Sequence, residues 1–330
     1  MRILVTGSSG HLGEALMRTL RGPAHDVIGI DVLASPYTDR IGTIVDRGFV
    51  RECMRNVDAV LHAATLHKPH VGTHPRQDFV DTNVTGTLNL LEEGKLANVR
   101  AFVFTSTTST FGRALVPAPG EPAAWITEDV VPVPKNIYGA TKIAAEDLCE
   151  LFARNLKLPV VVLRTSRFFP EEDDLRERRE GFVDENLKAN EFLYRRVDVA
   201  DIVDAHLLAI DKAPALGFRK FIISATSPFV RGDLAELRSD APAVVRRHSP
   251  GFVAQYERRG WTMLPSLDRV YVNERARLEL GWKPKYDFAH VVASLCADEP
   301  FTSPLARAIG SKGYHAQVFS DGPFPLESTL

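Results

Sequence analysis

A glycine-rich turn in the stretch "ILVTGSSGHLGEALMRTL" joins a short apolar run to an amphipathic helical pattern. Its glycines Gly7, Gly10 and Gly13 have GxxGxxG spacing. Glycines at this spacing permit a tight turn and a close approach of the backbone, so amides near His11 and Leu12 at the helix N-terminus can hold a pyrophosphate. Because a predicted strand precedes the turn and a predicted helix follows it, the pattern favours a dinucleotide-binding turn over a βα turn without a ligand.

Short apolar, β-branched runs recur along the chain and predict buried parallel strands. They lie at 2–6, 26–30, 59–63, 101–105, 159–163 and 221–223. Helical patterns separate them, such as the one that places Val80, Val84, Leu88 and Leu91 on one face. This alternation predicts an α/β fold with a Rossmann-type, doubly wound parallel sheet.

Two acidic residues are candidates for contacts with the adenosine half of a dinucleotide. Asp31 ends the second apolar run, where a carboxylate accepts hydrogen bonds from the ribose hydroxyls and repels a 2′-phosphate. No arginine follows it before Arg40, so the sequence favours NAD over NADP. The alternative for Asp31 is a strand-end residue that caps a turn. Asp46, in "TIVDRG", could reach the adenine amino group or could be a solvated loop carboxylate.

The alternation of strands and helices weakens beyond residue 164, which predicts a second region. We predict an NAD-binding Rossmann domain over 1–163, to which 197–226 return, a smaller interleaved C-terminal substrate lobe over 164–196 and 227–296, and a C-terminal extension over 297–330. The end of that extension has no strong periodicity and is predicted to be a loosely ordered tail.

Charge and composition restrict the partners and the compartment. Lys plus Arg number 40 and Asp plus Glu number 42, a balance that argues against nucleic acid or an anionic membrane as a partner. We find neither a signal-peptide pattern nor an apolar run of membrane-spanning length. The three cysteines are far apart and have no metal-ligand spacing, which fits a reducing compartment. A cytoplasmic location is therefore expected.

Several motifs occur in the order in which one enzyme family has them. They are "TGSSGHLG", "LHAAT", "DTNVTGTLNLLE", "FTSTTSTFG", "YGATK", "RRVDVADIVDAH" and "LELGWKPKYDF". On these motifs, residues 1–296 resemble the NAD-dependent epimerase/dehydratase family of the extended short-chain dehydrogenase/reductase superfamily. The resemblance implies the fold of that family, an NAD-dependent enzyme and a carbohydrate substrate.

The resemblance assigns catalytic roles to residues of two motifs. Tyr138 would be the general acid-base, and Lys142 would support it and hold the nicotinamide ribose. Their i, i+4 spacing puts both on one helix face, although neighbours on a solvated face have the same spacing. The ammonium and the positive nicotinamide ring are expected to lower the pKa of Tyr138. Thr107 would orient the substrate, with Ser106 and Thr108 as adjacent alternatives.

Three further residues would surround the cofactor by the same resemblance. Asn83, from "DTNVTGT", would lie in the helix before the fifth strand, next to the cofactor, and brace the site. His62 and Ala63, from "LHAAT", would border the ribose and the pyrophosphate of the cofactor.

The stretch "LRTSRFFPEEDD" has Arg167 where an asparagine of the family commonly holds a nucleotide-sugar. The local sequence is more similar to the uronate dehydrogenases of the family. The planar fork of an arginine can grip a carboxylate, so Ser166 and Arg167 are predicted substrate contacts, with Arg176 as a second candidate. The alternative is a solvated loop over 171–191 whose charges pair with one another.

The histidines of "TLHKPHVGTH" raise the question of a metal. His67, His70 and His74 lie in a loop context without a helix or strand to fix their geometry, and the chemistry of the family needs no metal. We therefore predict no metal and a contact between His67 and a polar substrate.

Three functions are compatible with these residues. The leading prediction is an NAD-dependent oxidoreductase that transfers hydride from a hydroxyl carbon of a sugar or sugar acid to NAD, with Tyr138 as base. The first alternative is a redox-neutral epimerase of UDP-sugar type, for which Arg246, Arg247 and Arg269 are candidate phosphate contacts or, alternatively, surface charges. The second is a non-catalytic NAD-responsive binding protein, which the intact Tyr138 and Lys142 pair disfavours.

The family precedent also implies a homodimer through the helix of "YGATK" and the helix before it.

Overall fold

The structure is a computed structural model that describes residues 1–315, 317, 319 and 322–325. Within these residues the strands are β1 (Arg2–Thr6), β2 (Asp26–Asp31), β3 (Arg40–Ile41), β4 (Ala59–His62), β5 (Ala101–Thr107), β6 (Ala124–Ile126), β7 (Val160–Thr165), β8 (Phe218–Ile223) and β9 (Arg269–Tyr271). The α-helices of the same residues are α1 (His11–Leu20), α2 (Arg47–Cys53), α3 (Arg76–Phe79), α4 (Gly86–Leu96), α5 (Ile137–Leu156), α6 (Arg176–Gly181), α7 (Asp184–Glu191), α8 (Val199–Leu216), α9 (Leu234–Leu237), α10 (Ala241–His248), α11 (Phe252–Arg259), α12 (Phe288–Ala297) and α13 (Pro304–Ile309).

The main sheet is parallel throughout and has the order β3-β2-β1-β4-β5-β7-β8. Successive side chains of β1 alternate between its faces: Ile3 packs with α1 and α8, and Leu4 packs with α2, α4 and α5. Strands covered on both faces must be apolar along their whole length, which explains the β-branched runs of the sequence. The predicted α/β fold with a Rossmann-type sheet is confirmed.

A smaller region packs beside the carboxyl edge of the main sheet. It contains the parallel pair β6 and β9 and a core shared by α7, α10, α11 and α12. In contrast, α8 and β8 belong to the main sheet and its covering layer, where the sequence predicts the return of 197–226. The boundaries of the two regions stay a prediction.

The helix before β5 differs from its predicted pattern. A π-helical segment, Val80–Thr85, separates α3 from α4 and inserts an extra residue into one turn. Three members of the predicted core face, Val80, Val84 and Leu88, are only half-buried, whereas the fourth, Leu91, is fully buried. The predicted face was therefore only partly right.

The C-terminal extension begins with an ordered helix, α13, and the loosely ordered tail was predicted only for the end of the extension. Leu305, Ala306 and Ile309 of α13 pack against the core that α1 and α8 share. The following residues to 315 make further contacts, which are given with the site below. Residues 326–330, to which the prediction also extended, lie outside the described residues.

Two predictions concern the outer surface. In the described part of the chain, no helix combines the length and the apolar character needed to cross a membrane. Leu96 on α4 is exposed, as are Leu151 and Leu156 on α5, and these are the helices of the predicted dimer contact. The homodimer itself stays a prediction.

Candidate active site and cofactor cleft

The glycine-rich turn has the shape that a dinucleotide needs. Gly7 has a positive φ of 72°, and a Cβ on it would lie 2.8 Å from the Ala64 amide nitrogen. A Cβ on Gly13 would lie only 1.9 Å from the Gly7 carbonyl oxygen, so the turn closes tightly against the start of α1. Gly10 is the N-cap of α1 and provides no side-chain hydrogen bond to the first helical amides, including those of His11 and Leu12. These features fit a pyrophosphate as the helix cap.

The adenosine end of the cleft is marked by Asp31 at the end of β2. One carboxylate oxygen accepts the Ser9 amide of the glycine-rich turn at 3.0 Å, and the other accepts the Leu33 amide at 2.9 Å. Leu33 is exposed and Ile41, which pairs with Asp31 in the sheet, is exposed too, so an apolar surface borders this carboxylate. The residues present therefore fit a dinucleotide without a 2′-phosphate, and the contact of Asp31 with the ribose stays a prediction.

Asp46 has a different place from the predicted adenine contact. It is the N-cap of α2, and its carboxylate accepts the Phe49 amide at 3.1 Å. The sequence analysis did not identify Asp46 as a helix cap. In the structure, β3 ends at Ile41 and α2 begins directly after Asp46. One oxygen of this carboxylate is therefore already used by the helix.

The His62 side chain is buried inside the protein, and the place of His62 beside the cofactor stays a prediction. Its ring nitrogens form hydrogen bonds with the Thr6 hydroxyl at 2.8 Å and the Thr87 hydroxyl at 2.9 Å inside the protein. Burial, with a smaller effect of the Lys142 charge, holds the pKa of His62 well below its ordinary value. Ala63 and Ala64, in contrast, lie against Gly7 at the edge of the glycine-rich turn. This turn, with Gly7, Gly10 and Gly13, is here called the glycine cradle.

Tyr138, Lys142 and Thr107 meet at the carboxyl edge of the sheet. Asn136 caps α5 by accepting the Gly139 amide at 3.1 Å, which fixes the first turn that carries Tyr138. Thr107 ends β5, and its hydroxyl is hydrogen-bonded to the phenol of Tyr138. Both side chains are only 8% exposed. The arrangement can pass a proton between the phenol and a hydroxyl held next to Thr107.

The protein surroundings raise the pKa of Tyr138, and its lowering beside a bound nicotinamide stays a prediction. Burial raises the pKa of Tyr138 to about 12, and the hydrogen bond with Thr107 opposes this only in part. Lys142 donates to the Thr105 carbonyl at 2.8 Å and lies 4.0 Å from the centre of the Phe104 ring. Burial also lowers the pKa of Lys142 to about 7.

Asn83 braces the site and has no free polar atom for a cofactor. Its amide oxygen accepts from the Thr65 hydroxyl and the Leu66 amide, and its amide nitrogen donates to the Leu66 carbonyl and the Thr141 hydroxyl. Thr141 lies on α5 between Tyr138 and Lys142. Asn83 therefore ties the loop after β4 to the catalytic helix, as the brace that the resemblance implied, and its place among the cofactor contacts was wrong.

We expect Asn83→Ala to lower the free energy of unfolding by roughly 2 to 4 kcal/mol, because buried partners on two segments lose their hydrogen bonds. Chemical denaturation followed by circular dichroism measures this change. The control is Gln77→Ala, which removes an exposed amide whose nitrogen donates to Asp81 at 2.8 Å. Equal stability of the two variants would contradict the bracing role.

Ser106 is not placed for substrate contact. Its hydroxyl donates to Glu146 at 2.6 Å, and Glu146 pairs with Arg164 at 2.7 Å in the layer beneath β5. All three side chains are buried. Since successive strand residues face opposite sides, Ser106 points away from the side of Thr107. Thr108 is buried in the short 3₁₀ turn that follows β5, and its substrate contact stays a prediction.

The Arg167 guanidinium lies among acceptors of its own chain, although its buried Nε has no hydrogen-bond partner among the described residues, and its grip on a substrate carboxylate stays a prediction. It donates to the Glu172 carbonyl at 2.9 Å and lies 3.5 Å from the Asp174 carboxylate and 3.9 Å from the Glu191 carboxylate. The charges of this segment do pair with one another, but they do so in the interior: Asp173 and Asp174 are buried. Ser166 is buried as well, and its hydroxyl donates to Ser224 at 3.2 Å.

Two other predicted substrate contacts lie elsewhere. Arg176 is exposed on α6 and pairs with Glu180 at 2.7 Å, and its substrate contact stays a prediction. The His67 ring stacks on Phe169, with the ring centres 5.3 Å apart, and its substrate contact stays a prediction. Among the residues that the structure describes, no group of three or more His, Cys, Asp or Glu side chains is placed to hold a metal ion.

A group of positive charges near Tyr138 was missed by the sequence reasoning. It comprises Lys68, Arg113, Lys135 and Arg269, here called the cationic rim. Burial lowers the pKa of Lys135, and the charges of Arg269, Lys68 and Arg113 lower it further, whereas the charge of Asp268 opposes them. These three cations are therefore within electrostatic range of Lys135. Arg113 and Lys135 directly flank the motifs "FTSTTSTFG" and "NIYGATK", so their adjacency to these motifs was the available signal.

The rim has unused binding capacity. Within the described residues, the Arg113 and Lys135 side chains have no hydrogen-bond or ion-pair partner, and the buried Arg269 Nε has no hydrogen-bond partner. The Arg113 amide donates to the Val133 carbonyl at 2.8 Å, which joins the two loops that carry these cations. Lys135 lies on the second loop, just before the cap of α5. The rim can therefore bind an anion close to the catalytic tyrosine.

Some known proteins are similar to this chain over most of their own length. The UDP-glucose 4-epimerase of Rhizobium meliloti (strain 1021) is 27% identical over 326 residues, which cover 88% of this chain and 95% of that protein. A short-chain dehydrogenase/reductase superfamily protein from Agrobacterium tumefaciens, with bound NAD, superposes with a TM-score of 0.64 at 23% identity over 90% of this chain and 98% of that chain. A mutated uronate dehydrogenase superposes with a TM-score of 0.60 at 19% identity over 92% and 88% of the two chains. The two structural likenesses show a shared fold.

The family match covers the parts of the chain that carry the site. Residues 3–217 match the NAD dependent epimerase/dehydratase family, and they include the glycine cradle, Thr107, Tyr138 and Lys142. The predicted family, the enzyme class and NAD as the cofactor of that family are confirmed. The chain belongs to the NAD dependent epimerase/dehydratase family.

Proposed function

We propose that this protein is a redox-neutral epimerase of a nucleotide-sugar, with Tyr138 as its acid-base. The observation that carries the proposal is the cationic rim beside the buried Tyr138 and Thr107 pair. A nucleotide-sugar brings a diphosphate next to the sugar, and Arg113 and Lys135, whose side chains have no partner among the described residues, suit it. The other two cations of the rim are shared with carboxylates, Lys68 with Asp174 and Arg269 with Asp268. UDP-glucose 4-epimerases that match this chain over most of their length give independent support.

The roles follow from the positions of the side chains. NAD, when bound on the glycine cradle, supplies reversible hydride acceptance. Thr107 would orient the sugar hydroxyl, and the Tyr138 phenolate, favoured by the positive charge of the bound cofactor, would accept its proton and later return it. Lys142, which donates to the Thr105 carbonyl, would contact the nicotinamide ribose. One proton leaves the sugar and one returns to it, so the cycle needs no external base.

A dehydrogenase of free sugar acids is the weaker candidate. That function was predicted on the expected grip of Arg167 on a carboxylate, and Arg167 is surrounded by the Glu172 carbonyl, Asp174 and Glu191. The similarity to a uronate dehydrogenase supports a common fold and gives no substrate. The sugar-acid dehydrogenase is kept as one outcome of the test.

The test mixes purified protein with NAD and either UDP-sugars or free uronic acids. Near-ultraviolet absorbance reports reduced nicotinamide, and chromatography of the UDP-sugars reports the epimer. We expect a UDP-sugar to be converted to its epimer with no net rise in absorbance. A sustained rise with a free uronic acid, and no epimer, would replace the proposal with the dehydrogenase.

Removing a cation of the rim should weaken substrate binding more than the chemical step. We expect Arg269→Ala to raise KM for the nucleotide-sugar by about tenfold with little change in kcat, because a charged hydrogen bond contributes about 1.5 kcal/mol or more. Steady-state kinetics measures both constants. Arg100→Ala, which removes an exposed arginine just before β5, is the control. A similar KM in both variants would remove the phosphate role of Arg269.

A further inference from the structure

Residues 311–315, here called the strap, cross the carboxyl edge of the main sheet after α13. Their first anchor is Glu171, in the loop after β7. One carboxylate oxygen of Glu171 accepts four hydrogen bonds, from His11 Nε2 at 2.8 Å, the Ser311 hydroxyl at 2.9 Å, the Lys312 amide at 2.9 Å and the Gly313 amide at 3.0 Å. Although burial opposes it, this set of donors holds the pKa of Glu171 well below its usual range. The anchor is therefore a charged acceptor shared between the strap and the glycine-rich turn.

The strap has a second anchor on the loop after β4. The Tyr314 ring lies edge-on to His67 and to Phe169, with ring centres 5.2 and 5.7 Å away. The ring of His315 follows it, and its Nε2 hydrogen-bonds the Pro69 carbonyl at 3.0 Å. Lys312 also pairs with Glu14 on α1. The strap thus joins the loops that follow β4 and β7 to the start of α1.

The order of the sheet explains why this bridge matters for the cleft. In the sheet, β4 and β5 lie between β1 and β7. The glycine cradle follows β1, at one end of the edge that the strap crosses, and Thr107 lies at the end of β5, between β4 and β7. In open α/β sheets, ligands bind outside the carboxyl ends of the strands. A bridge between the loops after β1, β4 and β7 therefore spans the place of the cofactor. Tyr138 and Thr107 are already nearly inaccessible in this closed arrangement.

We propose that the strap retains NAD in the cleft, with Glu171 as the group that fastens it. This inference rests on the proposed function. A redox-neutral cycle regenerates NAD on the enzyme, so such an enzyme can work even when bound NAD exchanges slowly with free NAD. Release of the dinucleotide requires the Glu171 hydrogen bonds and the Tyr314 contacts to open first. The His11 side chain links the strap to the glycine cradle, because it is hydrogen-bonded to Glu171 and its own amide is one of those that fit the pyrophosphate.

The test measures how fast reduced NAD leaves the protein. The full-length protein is loaded with reduced NAD and mixed with excess NAD, and the loss of nicotinamide fluorescence gives the release rate. We expect Glu171→Ala to accelerate release by about tenfold or more, because several charge-assisted hydrogen bonds are lost. The control is Glu172→Ala, the adjacent and exposed glutamate, which should release at the rate of the unaltered protein.

A second variant keeps the test decisive if Glu171→Ala folds poorly. Tyr314→Ala loosens the other anchor without removing a buried charge, and circular dichroism with thermal unfolding checks both variants. Faster release in a folded variant supports the strap. Release rates equal to that of the Glu172→Ala control in both folded variants overturn it. The assay contains no sugar, so it can fail while the epimerase assay succeeds, and the reverse also holds.

Discussion

Tyr138→Phe should lower kcat by about 10²- to 10⁴-fold, the usual contribution of a positioned acid-base. The substitution removes only the hydroxyl, whose partner is Thr107, and keeps the buried ring that packs at the start of α5. Binding of reduced NAD and the unfolding temperature should therefore change little. Turnover of the converted UDP-sugar, measured beside the fluorescence titration of reduced NAD, separates the lost chemistry from lost binding.

Tyr286→Phe is the matched control, since it removes the hydroxyl of a half-buried tyrosine of the smaller region. Its turnover should equal that of the unaltered protein. If Tyr138→Phe also retained full turnover, Tyr138 would not be the acid-base, and if no substrate were turned over by the unaltered protein, the non-catalytic NAD-responsive alternative would gain support. The raised pKa of Tyr138 sharpens this test, because a phenol with a pKa of about 12 is protonated at neutral pH. Proton abstraction then depends on positive charge that the bound cofactor brings.

The parts of the fold that depend on local sequence could be predicted well. The apolar runs from Arg2 and Ala101 begin β1 and β5 at the predicted residues, because strands that are buried on both faces tolerate few polar side chains. The glycine cradle was predictable for a similar reason: the contacts of Gly13 with Gly7 involve residues only six apart. The Tyr138 and Lys142 pair could be predicted because residues four positions apart lie on one face of a helix.

Features that depend on distant residues could not be predicted. The pairing of Arg167 with Glu191 is one of them, because Glu191 lies on a helix whose packing has no local signal. Ser106 and Thr107 are adjacent, and only the pairing of β5 with its neighbours decides which of them meets Glu146. The strap contacts of Glu171 join residues about 140 positions apart, and the lack of periodicity after residue 301 concealed them.

Gly13→Ala should abolish useful NAD binding, and it is the most severe single change that we expect in the cradle. The new Cβ would lie 1.9 Å from the Gly7 carbonyl oxygen and 2.7 Å from Ser8 Cα, both backbone atoms that cannot rotate away. Relief requires the turn to separate from α1, which displaces the amides that fit the pyrophosphate. Overpacking of this kind costs about 3 kcal/mol, which corresponds to roughly a hundredfold weaker binding.

The measurement is a fluorescence titration with reduced NAD, together with chemical denaturation of the free protein. Gly22→Ala is the control, because a Cβ on Gly22 meets nothing within 4 Å. It should bind reduced NAD as the unaltered protein does, with unchanged stability. If Gly13→Ala lost stability but kept its affinity, the turn would be a packing element and the dinucleotide would lie elsewhere. If it kept both, the closeness of Gly7 and Gly13 would not be needed for the fold or for the cofactor.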